Sequence, residues 1–169
     1  MLELAYNHKE QLDKKYSRML LNPDKYKWVL PSWVNYEVKI DDNTWNRLQY
    51  VSVIKNEVIG YIECEIDRQC YYAHKLVLIN FENKPSFVFS KDFYRFLKLL
   101  FFSFNLNKIT FSCIVGNPIE KTYDKLINKI GGRIVGIFKR EVKLLDGLIY
   151  DMKFYEVTKE NIHFHILKL

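Results

Sequence analysis

The chain has 169 residues, of which 49% are hydrophobic and 16% aromatic, with a net charge of +6. That is enough apolar material for one domain with a real core, and it excludes a disordered segment. The lysines are spread along the chain without a basic block or a recognition motif, so dedicated nucleic-acid binding is not favoured.

Three cysteines, Cys64, Cys70 and Cys113, form no paired motif and fit free thiols in a reducing cytoplasm. Residues 1–15 are punctuated by Glu3, His8, Lys9, Glu10 and Asp13, unlike a signal peptide. The apolar run 93–104 is interrupted by Arg95 and Lys98 and is too short to span a bilayer. A cytoplasmic protein without a membrane segment is expected.

Asn7, three positions before Glu10, reads as a capping box that opens a helix. Leu12, Tyr16, Met19 and Leu20 then fall on one apolar face, and Asn22-Pro23-Asp24 ends the helix. Trp28, Trp33 and Trp45, around Pro31-Ser32, lie in a loop or short helical turns. Packing is one role for them, an aromatic wall around a substrate the other. From Leu48 the period becomes two. Residues 48–54 predict a strand and Lys55-Asn56-Glu57 a turn. In a second strand Val58, Gly60, Ile62, Cys64 and Ile66 alternate with a polar face of Tyr61, Glu63 and Glu65. Asp67-Arg68-Gln69 turns again and residues 72–81 predict a third strand, all three antiparallel because the connections are too short for crossovers.

Ser90 predicts the cap of a helix reaching about residue 104, with only Lys91, Arg95 and Lys98 as a polar stripe. Residues 109–115 alternate in a strand parallel to the third. Asn117, Pro118 and Glu120 form the start of another helix, whose apolar face includes Tyr123, Leu126, Ile127 and Ile130 and whose stop is Gly131. Residues 134–144 and 148–157 predict a closing hairpin with Asp146-Gly147 in its turn. The fold class is α+β: an α/β three-layer sandwich of a mixed, mostly antiparallel sheet with helices on both faces. One domain is expected over residues 1–169, with a helical region at 1–35 and the core at 36–160.

Over roughly residues 35–160 this order resembles the GNAT family of N-acetyltransferases. Val58-Ile59-Gly60-Tyr61 looks like the family's third strand, Asn117 with its helix like the cofactor-side helix, and Asp146-Gly147 with Tyr150-Asp151 like the closing hairpin. One segment departs from the family. Where it usually places an Arg/Gln-x-x-Gly-x-Gly/Ala loop that cradles a pyrophosphate, residues 83–91 begin Asn83-Lys84-Pro85-Ser86 and contain no glycine.

The resemblance implies acetyl-CoA as cofactor. Backbone amides at Leu78, Ile79 and Asn80 would hold the pantetheine arm, and Ser90, Lys91, Asp92 and Phe93 the pyrophosphate, with Lys84 adding charge. Asn117 and Tyr123 would meet the inner end of the cofactor. For proton transfer the candidates are Tyr123, Glu82 and Glu63. Tyr123 lies one turn before the usual tyrosine position, which holds Ile127 here, and core packing is its other role. His74 and Cys113 suit structural roles, and His163 and His165 share one side of a strand without a third metal ligand.

The implied function is transfer of an acetyl group from acetyl-CoA to a primary amine of a small molecule or protein, with a homodimer as the assembly considered. The acceptor would enter between the N-terminal helix and the last hairpin. The alternative, suggested by the glycine-free loop, is a catalytically inactive GNAT-fold interaction or assembly protein of phage origin.

Overall fold

The computed structural model describes residues 1–30, 38–40, 45–82 and 84–161. Pro31, Ser32, Trp33, Asn83, His163 and His165 lie outside the described residues. In chain order the strands are β1 (Leu2–Leu4), β2 (Arg47–Ile54), β3 (Glu57–Asp67), β4 (Tyr72–Asn80), β5 (Lys108–Ile114), β6 (Arg133–Lys143) and β7 (Ile149–Thr158). The helices are α1 (Lys9–Leu20), α2 (Pro23–Tyr26), α3 (Phe87–Lys98) and α4 (Glu120–Ile130). None among the described residues is long and apolar enough to cross a membrane.

The strands form one sheet in the order β1-β2-β3-β4-β5-β7-β6, antiparallel except for β4 and β5. The expected mixed sheet is therefore present, with an extra short strand at its β2 edge. Three residues of β1 are too few to carry a readable period. The larger core packs α3 and α4 on one face, through Phe93, Phe96, Leu97, Tyr123 and Ile127. The smaller gathers Leu12, Val51, Val53, Val58 and Tyr61 beneath α1 on the other.

Several local expectations shift. No side chain caps α1 where Asn7 was expected, and a 3-10 turn at Ala5–His8 leads into it instead. Asn22 does not merely end α1: its side chain accepts from the Asp24 N–H at 3.0 Å and opens α2, with Pro23 at the first position. The cap of α3 is Ser86, whose Oγ accepts from the Phe89 N–H at 3.2 Å, so Ser90 is a first-turn residue. Phe89 decides the matter. Its ring lies where a Cβ on Gly60 would sit (2.4 Å), so the glycine of β3 lets the first turn of α3 seat on the sheet. Beyond Lys98 the helix relaxes into a π turn, Leu99–Ser103. At α4, Asn117 Oδ1 accepts from the Ile119 N–H (3.1 Å) and Glu120 reaches back to the Gly116 N–H (2.8 Å). Gly131 stops the helix in the left-handed region, φ 81°.

One irregularity organises the middle of the sheet. Glu63 faces Val77 and Glu65 faces His74, so Cys64 alone opposes both Lys75 and Leu76, and Lys75 takes a φ of 51°. This is a bulge in β4. The pairing of β4 with β5 comprises only Tyr72 with Lys108 and Ala73 with Ile109. Beyond the bulge the two strands part.

Candidate functional site

Where β4 leaves β5 there is a cavity of about 610 Å³. Its walls are β4 from Lys75 to Asn80, β5 from Ser112 to Ile114, Asn117 and Tyr123 before and within α4, and Met152 of β7. The opposite rim comes from α1 and α2, through Tyr16, Met19, Asp24, Lys25 and Trp28. Alternate peptide groups of a strand point to opposite sides, and β3 satisfies only one side of β4. The other side, along residues 76–80, is open to the cavity.

Tyr123 sits on the inner wall. Its ring packs edge-on against Phe111 (5.0 Å between centroids) and Tyr155 (5.8 Å), and the residue is 5% exposed. Among the described residues its hydroxyl has no hydrogen-bond partner. Burial pushes its pKa up, so it stays protonated. A buried phenol normally finds a partner; this one faces a cavity instead.

The neighbouring polar groups are occupied. Tyr155 donates to Asp124 Oδ1 at 2.9 Å and lies 3.5 Å from the Cys113 sulfur. Lys153 bridges Glu120 and Asp124, which holds the Glu120 carboxyl below its usual range. Burial raises the Cys113 thiol, keeping it neutral and poorly nucleophilic.

The remaining predicted residues divide by place. Leu78, Ile79, Asn80, Asn117 and Tyr123 all line the cavity. Asn80 also organises the chain after β4: its Oδ1 accepts from the Glu82 N–H and its amide donates to the Lys84 carbonyl, both at 3.0 Å. Glu82 is exposed at that corner, outside the cavity wall. Glu63 is not on a polar face. It is buried on β3, where Arg47, Gln49 and Tyr61 all donate to its carboxylate, Arg47 at 2.7 and 2.9 Å. The alternation of β3 could not show this, because burial there comes from elements distant in sequence.

At α3 the expected donors are otherwise employed. The Ser90 N–H is bound to the Ser86 carbonyl (3.0 Å), and Phe93 is in the core. Asp92 is fully buried, receiving Ser52 Oγ at 2.6 Å and Arg95 at 2.9 Å, with the Met1 ammonium 3.2 Å away. Lys91 is half-buried on the first turns. The free donors of a helix lie in its first turn, and Ser86 claims that of Phe89, which leaves Phe87 and Val88.

Two rim residues, Lys25 and Asp24, escaped the sequence reading as cavity residues, while for Trp28 that reading leaves two possible roles. Lys25 donates to the carbonyls of Asn80, Phe81 and Glu82 at 3.3, 2.9 and 3.2 Å, tying α2 to the end of β4. Desolvation lowers its pKa. Asp24 is the one carboxylate among the described lining residues. Trp28 lines the cavity, packs edge-on to Tyr150 at 5.9 Å and lies near Gly116. Trp45 instead lies exposed beneath Arg68. The signal for α2 was Asn22 before Pro23, a start as well as a stop.

No family model and no curated protein sequence matches the chain. Solved structures do. A variant of spermidine N-acetyltransferase SpeG from Vibrio cholerae superposes with TM-score 0.68 at 18% identity, over 95% of this chain and 95% of that one. A candidate acetyltransferase from T. thermophilus gives TM-score 0.65 at 17% identity, over 99% and 88%. A third candidate acetyltransferase aligns with 69% of this chain at 16% identity and TM-score 0.58, and the match spans 64% of that protein's length. The chain has the GNAT N-acetyltransferase fold. Identities this low carry the fold and not the reaction.

Proposed function

We propose that this protein is an N-acyltransferase that moves an acetyl group from acetyl-CoA to a primary amine. The observation that carries the reading is the parting of β4 from β5, which sets an open strand edge opposite the partnerless hydroxyl of Tyr123. An extended arm containing amides fits such an edge, because residues 76–80 offer donors and acceptors at the strand repeat. The phosphate end fits more sparely, through the Phe87 and Val88 amides and the charge of Lys84.

The cofactor supplies an acyl group already activated as a thioester. The β4 edge would hold and orient that arm, and Asn117 would meet its inner end. Tyr123 keeps a proton on Oη at an apolar wall, available to an anionic atom formed beside it. The rim formed by Tyr16, Met19 and Trp28 is apolar and excludes water, and Asp24 offers one carboxylate to a cationic amine at the mouth. This rim suits an amine with an apolar body.

Titration with acetyl-CoA tests the reading. A ligand at one hundred times its dissociation constant adds about 2.7 kcal/mol of stability, and thiol release should follow when amines are supplied. No thermal shift at millimolar cofactor overturns it. A second reading, a GNAT-fold interaction protein without catalysis, is favoured by the start of α3, where Phe87 stands 71% exposed and no glycine admits a phosphate closely. Binding without thiol release across an amine panel would select it.

A further inference from the structure

Two lysines reach the cavity wall, and their ammonium groups are held in different ways. Lys75 pairs with the Glu65 carboxylate at 2.8 Å. Lys25, half-buried, is held by the carbonyls of Asn80, Phe81 and Glu82 at 3.3, 2.9 and 3.2 Å. Among the described residues no carboxylate lies within ion-pair distance of it, and Glu82 acts on it only through space. Its partners are neutral, so its charge is uncompensated. A cation that has exchanged water for neutral acceptors gains from any anion brought to it.

Strand parity fixes where this cation stands. The Phe81 N–H donates to the Ile59 carbonyl of β3 at 3.0 Å. Phe81 therefore faces β3, and Asn80 beside it turns its N–H and carbonyl to the opposite, open edge. Lys25 Nζ thus sits at the end of that edge, on a carbonyl that an arm along residues 76–80 would use. From this corner the chain runs through Lys84, whose carbonyl accepts from the Asn80 amide, to the Ser86 cap of α3. An arm crossing from the strand edge to the start of α3 has to pass Lys25.

We propose that Lys25 is a specificity residue for the phosphate that follows the pantetheine arm. The arm displaces its ammonium from the Asn80 carbonyl, and the ammonium turns to the phosphate oxygens. This rests on the acetyl-CoA reading and adds to it a cation from α2, outside the strand and helix that hold the rest of the cofactor. The exchange replaces a charge–dipole contact with a charge–charge one and frees the Asn80 carbonyl for an amide N–H of the arm. It also offsets the glycine-free segment before α3: that segment supplies few amides, and the charge comes from across the cavity instead.

Two donors that differ by one phosphate, S-acetyl-pantetheine and S-acetyl-phosphopantetheine, test this by calorimetry. Wild type should prefer the phosphorylated donor about tenfold. Lys25→Gln keeps a donor for the carbonyls but no charge, and should lose most of that preference, whereas Lys25→Arg should retain it. An undiminished preference in Lys25→Gln, or an equal loss of affinity for both donors, overturns this proposal alone and reduces Lys25 to a tie between α2 and β4. Absence of binding by both donors and by acetyl-CoA overturns the acetyl-CoA reading with it. Should Lys25→Gln fail to fold, reductive methylation of the wild-type chain, read by mass spectrometry, gives a separate readout. S-acetyl-phosphopantetheine should shield Lys25 and S-acetyl-pantetheine should expose it, and equal labelling under the two donors overturns the proposal.

Discussion

The opening between β4 and β5 and the start of α3 are joined by a short loop, yet they are prepared for ligands to different degrees. Among the described residues, the first leaves a buried phenol without a partner beside a strand edge that no other strand pairs, with Lys25 reaching only its end at the Asn80 carbonyl. The second uses its own serine as cap and sends Asp92 and Phe93 inward. Unmet hydrogen-bonding capacity in a cavity is costly unless something completes it, so the inner end is where the molecule is incomplete alone. The difference teaches that recognition by this chain should rest on the arm and acyl end of a cofactor more than on its phosphates.

Three substitutions can break or sharpen that contrast. The largest effect is expected from Tyr123→Phe. Loss of a positioned acid lowers turnover about 10²- to 10⁴-fold, while acetyl-CoA should still stabilise the variant in a thermal melt. Unchanged turnover would reduce Tyr123 to packing. Next is Gly60→Ala, whose Cβ would lie 2.4 Å from the Phe89 ring and 3.0 Å from the Ile79 carbonyl. Overpacking of this kind costs about 1–3 kcal/mol, read by denaturant unfolding. Because Phe89 seats the first turn of α3, KM for acetyl-CoA should rise more than kcat falls. Smallest is Ser86→Ala. Losing the cap costs about 1 kcal/mol but frees the Phe89 N–H, so cofactor affinity should hold or rise slightly by calorimetry. A large loss of affinity would mean that the Ser86 hydroxyl itself meets the phosphates.

What the sequence made legible was local. The strand over residues 58–66, the stop at Gly131 and the turn at Asp146-Gly147 each follow from a few adjacent residues, and the structure bears them out, although β3 is buried on both faces. Ser86 and Ser90, four apart before the same apolar run, are equivalent as caps until Phe89 meets Gly60, a contact between distant elements. Glu63 alternates like a surface residue, yet Arg47, Gln49 and Tyr61 enclose it. The lining role of Leu78, Ile79, Asn80, Asn117 and Tyr123 was reached through a family resemblance. The missing partner of the Tyr123 hydroxyl depends on three dimensions and no spacing encodes it.

The two rungs joining β4 to β5 have a consequence for cooperativity. β1 to β4 form one ladder and β5, β7 and β6 another, and the seam between them is short: Tyr72 pairs with Lys108 and Ala73 with Ile109, extended by the Asn107 N–H to the Tyr71 carbonyl at 2.7 Å. The seam is thus the place where native-state hydrogen exchange should divide the molecule into two units that open at different free energies. A ligand lying along residues 76–80 would act as the missing rungs, and the two halves would then exchange as one.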